Sequence, residues 1–333
     1  MTKGAFFIVG PTAAGKSELA ADIAVECEAE IVNADAFQIY QGLDVLSGKP
    51  DASTLGKVRH HLIGMVPPSD EMNAEKFRNA ACGAIEGIQS RNKLAIVVGG
   101  SGLYVKALTH GLWKLPAADD QLRKEFEALG IQELRSRLLV LDPGAAGRID
   151  LKNRRRVIRA LEICLLTGRP VSEQSQNWAK KDAVGGAAFG DLEGGAPATP
   201  GKADSQELAS PASGAGEGVF VFRDRDDLYK RINSRVERML QNGAIEEVRK
   251  EGSIGATAEK MIGLQEIREY LAGDLSMTQC AEAMQQATRR YAKRQLTWFR
   301  HQTNFEPLNL SLLSHTEAVE WVSRRALARR GNG

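Results

Sequence analysis

The sequence contains few cysteines, and their spacing excludes the common metal and disulfide frameworks. Its 333 residues include four cysteines, which are far apart and form no C-x-x-C pair. Such spacing argues against a zinc cage and against a small secreted domain held together by disulfides. We therefore expect reduced, mostly buried thiols in a protein of a reducing compartment.

Long apolar runs are also absent. No stretch approaches the roughly 20 apolar residues of a transmembrane helix. The first apolar run begins at Ala5, which leaves no space for the charged and apolar regions of a secretory signal. We expect a cytoplasmic, monomeric protein without a membrane partner.

An excess of charge of one sign is lacking as well, because 44 Lys and Arg residues face 42 Asp and Glu residues. A nucleic-acid partner therefore has to be inferred from local basic clusters and not from the total. With 43% hydrophobic residues, the chain is long enough for one large α/β domain and a smaller unit.

The sequence does contain a phosphate-binding pattern near its start. Residues 10–17 match G-x-x-x-x-G-K-[ST] and stand between an apolar run, 5–9, and an alanine-rich helical stretch, 18–28. In such loops, backbone N–H groups, a helix N-terminus and a lysine surround a phosphate, while the final hydroxyl can ligate Mg²⁺. We predict that a pyrophosphate-sized anion binds Gly10, Pro11, Thr12, Ala13, Ala14, Gly15, Lys16 and Ser17, with Ser17 as the metal ligand.

A carboxylate follows the second predicted strand, 30–34, at Asp35. Ligands of open α/β sheets bind at the carboxyl ends of the strands, so Asp35 should face the same crevice as the phosphate loop. There it is either a general base or the N-cap of a following helix.

The next predicted strand, 94–98, runs into Gly99 and Gly100. P-loop kinases often carry an aspartate at this place to hold Mg²⁺, so the glycines favour close approach of a ligand instead. Ser101 then either contacts that ligand or caps the helix predicted over 103–109.

Strand patterns stop after residue 118, and helices are predicted over 121–128, 131–141 and 153–167. The last of these carries Arg154, Arg155, Arg156 and Arg159, which form either a solvated face or a contact with a phosphate backbone. Residues 183–218 follow, of which 24 of 36 are Gly, Ala, Pro or Ser. We interpret them as a flexible surface insertion.

A strand at 219–222 leads into a helix on which Arg231 and Arg235 stand one turn apart. They complete an anion clamp if this face looks toward the phosphate loop; otherwise they are ordinary surface arginines. The last long helix, ending near Arg300, interleaves basic and aromatic residues, which suits RNA but is also typical of a solvated amphipathic helix.

We therefore expect an α/β fold: a P-loop core with a parallel sheet flanked by helices, plus an inserted all-helical subdomain. The predicted domains are a core over 1–118 and 219–312, a helical insertion over 119–182, the flexible insertion, and a C-terminal helix and tail over 313–333.

Taken together, these stretches resemble the bacterial tRNA dimethylallyltransferase family. The similarity runs from residue 4 to about residue 310 and includes the phosphate loop and the blocks 35–40, 47–50, 60–63, 99–104, 156–162, 228–232 and 292–298. The sequence departs from the family pattern at Ala36, at Leu264 and at 150–153.

The resemblance implies transfer of a dimethylallyl group from dimethylallyl pyrophosphate, with Mg²⁺, to N6 of adenine 37 beside the anticodon, in tRNAs that read codons starting with U. In such enzymes Asp35, Lys16 and Arg235 would act in catalysis, and Arg231 would join the loop in binding the pyrophosphate. The resemblance places tRNA contacts at Asp35, Ala36, Phe37, Gln38, Ser101, Lys124, Arg155, Arg156, Val157, Ile158 and Arg159. The alternatives are a small-molecule kinase that uses ATP at the same loop and an RNA-binding nucleotide switch.

Overall fold

The computed structural model describes residues 4–112, 116, 119–173 and 217–330. Most of the predicted flexible insertion, 183–216, lies outside these residues, and its last two residues already belong to a strand. By contacts the chain divides into two compact units, one of residues 1–112 and 214–333 and the other of residues 113–213.

Six strands form one all-parallel sheet in the order β3-β2-β4-β1-β5-β6, which confirms the predicted α/β class. They are β1 (Ala5–Val9), β2 (Glu30–Asn33), β3 (His60–His61), β4 (Ala95–Gly99), β5 (Glu217–Phe222) and β6 (Glu306–Asn309). The edge strand β6 was not predicted, because its four residues include a proline and show no apolar alternation.

The helices are α1 (Lys16–Glu26), α2 (Ala52–Lys57), α3 (Ala74–Gln89), α4 (Gly102–Thr109), α5 (Asp120–Glu127), α6 (Ile131–Leu141), α7 (Arg154–Thr167), α8 (Arg225–Gln241), α9 (Ala244–Lys250), α10 (Leu264–Ala272), α11 (Met277–Gln302) and α12 (His315–Arg330). Short 3₁₀ helices cover Pro143–Gly147 and Ala258–Lys260. None of the helices in these described ranges has the length and hydropathy that crossing a membrane requires.

The two faces of the sheet pack into separate cores. In β1, Phe7 and Val9 face one cluster, whereas Phe6 and Ile8 face the other, as the alternation of side chains along a strand requires. The second cluster also contains apolar residues of α1 and α12, so the predicted C-terminal helix is part of the core. The helical unit has its own core between α5, α6 and α7.

The register of the central strands brings three loops to one edge of the sheet. Val9 at the end of β1 pairs with Gly99 at the end of β4, and Asn33 at the end of β2 pairs with Val98. The phosphate loop, the segment that begins at Ala34 and the glycine turn after β4 therefore leave the sheet side by side.

Candidate functional site

The loop after β1 has the backbone geometry of an anion site. Ala13 and Gly15 adopt left-handed conformations, with φ of 64° and 96°, and such residues turn successive N–H groups toward one side. Within the described part of the chain, the N–H groups of Gly15, Lys16 and Ser17 have no backbone acceptor. They are free donors at the N-terminus of α1.

Three arginines, one just after β5 and two on α8, donate hydrogen bonds to backbone or hydroxyl oxygens of this loop. The pairs are Arg223 Nε with Ala14 O at 2.9 Å, Arg231 Nε with Ala13 O at 3.0 Å, and Arg235 Nη1 with Thr12 Oγ1 at 3.2 Å. Arg231 and Arg235 thus face the loop, and Arg223 joins them although the sequence analysis did not single it out.

Positive charge accumulates around the loop. Lys16 Nζ donates to Pro11 O at 2.7 Å, and burial, helped by the nearby Arg235, lowers the pKa of Lys16 to about 8 against the opposing charge of Asp35. Burial also lowers the pKa of both Arg231 and Arg235. No carboxylate of the described residues forms an ion pair with Lys16, Arg231 or Arg235. A desolvated cationic cluster of this kind is stabilised by a bound anion.

Gln295 of α11 ties the loop to the neighbouring turn. Its side chain is buried; Oε1 accepts from the Thr12 N–H at 2.9 Å and Nε2 donates to Gly100 O at 2.8 Å. Sequence reasoning missed Gln295 because its partners are distant in the chain. The signal that could have identified Gln295 is its polar amide, which lies in the sequence between the apolar positions Ala292 and Phe299.

The glycine turn after β4 accommodates the protein's own atoms. A Cβ on Gly99 would lie 2.2 Å from Ala34 O, and one on Gly100 would lie 2.3 Å from Gln295 Nε2. Close packing of protein atoms therefore accounts for both glycines, and the approach of a ligand to this turn stays a prediction. The structure also shows that β4 ends in Gly99, so no aspartate is present at the end of this strand.

Asp35 begins a turn and does not cap a helix. Its Oδ1 accepts from the Phe37 N–H at 3.0 Å, and residues 36–39 form turns, so no helix starts there. No donor among the described residues reaches its second oxygen, Oδ2. This oxygen is available to accept a proton.

Ser101 is the first residue before α4, but its side chain makes no capping bond. Its Oγ instead accepts from the Ala36 N–H at 2.9 Å, and it also shares a hydrogen bond with Tyr291. Gln38 Nε2 donates to Gly48 O at 3.0 Å, and the same oxygen accepts from Arg235 Nη2 at 3.1 Å. The segment after β2 is thus joined both to the glycine turn and to the arginines.

A cavity of about 60 Å³ connects the phosphate loop to Asp35. Thr12, Asp35, Ser47, Arg235 and Thr288 supply its polar lining. Its apolar lining comes from Phe37, Leu46, Val236, Met239, Met261, Ile262 and Met284. Tyr291 also contributes; burial and the nearby Asp35 charge raise the pKa of its hydroxyl, which therefore stays neutral.

The arginines of the helical unit have unlike environments. Arg154 Nη2 donates to the carbonyl oxygens at the end of α5, of Phe126, Glu127 and Leu129. Arg159 pairs with the buried Glu162 and donates to Pro116 O at 2.8 Å. Arg154 therefore joins α7 to the end of α5, and Arg159 joins α7 to the segment before α5, so the solvated-face interpretation does not apply to them.

The other residues of this unit that were predicted to contact tRNA differ in their exposure to solvent. Val157 and Ile158 are buried in its core, so their side chains cannot touch a nucleic acid. Arg156 Nη1 lies 3.9 Å from Asp150 Oδ2. Lys124 and Arg155 are exposed, and neither forms an ion pair with any residue that the structure describes.

A magnesium ion would find one protein ligand at the loop. No group of three His, Cys, Asp or Glu side chains in the described ranges could hold a metal. Mg²⁺ commonly keeps several waters and binds substrate phosphates, so a single protein ligand suffices. Ser17, in the first turn of α1, has a hydroxyl without a hydrogen-bond partner in this part of the chain, which fits that role.

Comparisons with known proteins agree on one family. A family model described as IPP transferase matches residues 38–302. The chain is 41% identical over 295 residues to tRNA dimethylallyltransferase 1 of Citrifermentans bemidjiense, with 87% of each chain covered. It is 40% identical over 303 residues to tRNA dimethylallyltransferase of Geobacter sulfurreducens, with 88% of each covered. The crystal structure of tRNA isopentenylpyrophosphate transferase from Bacillus halodurans aligns with a TM-score of 0.66 at 30% identity, covering 99% of this chain and 97% of the other.

Proposed function

Because this chain belongs to the IPP transferase family, we propose that it transfers a dimethylallyl group from dimethylallyl pyrophosphate to N6 of adenine 37 in tRNAs that read codons starting with U. The products are N6-(dimethylallyl)adenosine and pyrophosphate. One observation carries the proposal: a single cavity joins the cationic phosphate loop to a carboxylate with a free oxygen. These are the two groups that the reaction needs at opposite ends.

Adenine N6 is a weak nucleophile because its lone pair is delocalised into the ring. In the transfer, N6 forms a bond to the first carbon of the allyl group while the bond from that carbon to the pyrophosphate oxygen breaks. Asp35 accepts the proton that leaves N6. The leaving pyrophosphate takes the bonding electrons, so negative charge grows at the phosphate loop.

The loop N–H groups, Lys16, Arg231 and Arg235 stabilise that charge. They are held in place before the substrate binds, by hydrogen bonds to the loop itself, so little reorganisation is required as the charge develops. Ser17 would hold a Mg²⁺ ion, which supplies further positive charge to the leaving group.

An adenine stacked in an anticodon loop cannot reach this cavity and has to be flipped out, at a cost of a few kcal/mol. Contacts with the phosphate backbone offset that cost. Phe37, Gln38 and Ser101 border the segment where the base would enter, and Lys124 and Arg155 offer exposed charge on the helical unit.

The kinase alternative lacks the residue that it needs. It requires an aspartate for Mg²⁺ at the end of β4, where Gly99 and Gly100 leave no space for any side chain. The decisive assay combines the protein, unmodified tRNA and labelled dimethylallyl pyrophosphate. We expect label on adenine, whereas transfer of labelled phosphate from ATP without prenylation would support the kinase.

We expect the affinity for inorganic pyrophosphate to fall as the pH rises through about 8. The free protein has a lowered Lys16 pKa of about 8, and a bound anion favours the charged amine and raises that pKa. At a pH between the Lys16 pKa of the free protein and that of the complex, binding must take up a proton. The affinity for pyrophosphate then falls by up to about tenfold per pH unit. Below pH 8 the contribution of Lys16 to the affinity is constant.

Calorimetric titrations over this pH range test the effect. Pyrophosphate itself titrates, so the reference is Lys16→Arg, whose side chain stays charged throughout. Identical pH profiles for the two proteins would show that Lys16 does not change its protonation on binding.

Replacing Arg155 by alanine should weaken tRNA binding and reduce its salt dependence. Each phosphate contact contributes about 0.7 to 0.9 to the slope of log K against log salt concentration, and Arg155 is exposed without a partner in the described ranges.

Arg159→Ala should instead lower the melting temperature by at least about 2 °C, because it removes a partner of the buried Glu162.

The matched control is Arg137→Ala, an exposed arginine of the same unit that pairs with Glu133. We expect it to change neither the slope nor the melting temperature appreciably. An unchanged slope in Arg155→Ala would assign Arg155 to the solvated surface.

A further inference from the structure

We infer that Leu46, Met261 and Met284 form the wall that limits the substrate to a five-carbon allylic chain. This inference rests on the proposed function and concerns the apolar end of the same cavity. All three side chains line it, and each is less than 5% exposed.

The cavity has a polar end and an apolar end. Thr12 and Arg235 lie at the phosphate loop, where a pyrophosphate group would be bound. The apolar lining continues away from it along α8, with Val236 and Met239. A short hydrocarbon chain on the pyrophosphate would therefore contact the apolar part of the lining, which includes Leu46 and the methionines.

Packing is tight at the apolar end of the cavity. Gly263 adopts a left-handed conformation with φ of 98°. A Cβ at this position would lie 2.7 Å from Met284 Cε and 2.8 Å from Leu46 Cδ1. The side chains of Leu46 and Met284 thus close over the glycine, and they occupy the space that a side chain at this position would need.

The Leu46 part of the wall is fixed by a carboxylate from α9. Glu247 Oε1 accepts from the Val45 N–H at 2.8 Å, and Oε2 accepts from the Leu46 N–H at 2.9 Å. Because both oxygens hold the backbone, Leu46 cannot withdraw readily to admit a larger group. A second isoprene unit would have to displace buried side chains, and overpacking of this kind is costly.

The test compares dimethylallyl and geranyl pyrophosphate as donors to unmodified tRNA. Met284→Ala and Met261→Ala should each raise the ratio of kcat/KM for geranyl over dimethylallyl pyrophosphate by at least about tenfold, since a single methylene is already worth that much in an apolar pocket. Met284→Leu keeps the side-chain volume and should discriminate like the wild type. Met277→Ala changes an exposed methionine on the same helix and is the matched control.

Thermal unfolding identifies which alanine variants remain folded. Met261 and Met284 lie in different segments of the chain, so one folded alanine variant is sufficient for the test. A non-hydrolysable geranyl thiolodiphosphate should raise the melting temperature of a folded alanine variant more than that of the wild type. An unchanged substrate ratio and an unchanged thermal response in a folded variant would overturn the inference. If the wild type transferred no dimethylallyl group at all, the proposed function itself would fail.

Discussion

The Asp35→Asn variant is expected to lose roughly a hundred- to ten-thousand-fold in the single-turnover rate of transfer, with little change in substrate binding or thermal stability. Asparagine keeps an Oδ1 that can accept from the Phe37 N–H, as Asp35 does. It replaces the free carboxylate oxygen by an amide nitrogen, which cannot accept the proton from adenine N6. The chemistry is removed while the turn is retained.

Single-turnover measurements with saturating tRNA and dimethylallyl pyrophosphate suppress defects in binding. Asp51→Asn is the matched control, because Asp51 caps α2 by accepting from the Thr54 N–H and asparagine caps about as well as aspartate. A rate within a few-fold of wild type in Asp35→Asn would assign the proton to water or to the departing pyrophosphate.

Replacing Lys16 by alanine should lower kcat/KM for dimethylallyl pyrophosphate by about a hundred- to a thousand-fold, while the affinity for tRNA stays nearly unchanged. Lys16 is the charged side chain of the phosphate loop itself, and its amine donates a hydrogen bond to Pro11 O at 2.7 Å. It acts on the pyrophosphate as a point charge, and its removal leaves the arginines in place.

Transfer rates over a range of donor concentrations, with tRNA affinity measured separately, provide the test. Lys57→Ala serves as the control, since Lys57 pairs with Asp22 on the surface. Wild-type kinetics in Lys16→Ala would exclude the loop as the pyrophosphate site. A selective loss of tRNA binding would place the RNA backbone there instead.

Much of the site could be predicted because its signals are local. The phosphate loop depends on glycines and a lysine at fixed spacing, directly after a strand and before a helix. The position of Asp35 followed from the rule that strands of an open α/β sheet end at one edge, and the register of β2 and β4 agrees with it. Neither inference needed a contact between distant residues.

Other parts could not be predicted because their cause is tertiary. Arg154 and Arg155 are neighbours in one basic cluster, yet the first caps α5 and the second is exposed. A helix turns by about 100° per residue, so adjacent side chains meet different surroundings, and only the packing of α5 against α7 tells them apart. The same holds for Gln295, whose two partners lie 283 and 195 residues away.

By itself, the sequence determined the α/β class, the phosphate loop, the paired arginines of α8 and the carboxylate after β2, because glycine conformation, helical spacing and strand direction are local properties. The tertiary structure decided which groups share one cavity. It turned α8 toward the loop, filled the glycine turn with protein atoms and closed the apolar end with Leu46 and Met284. Those outcomes depend on close packing between elements far apart in the chain, where a shift of one methylene is felt.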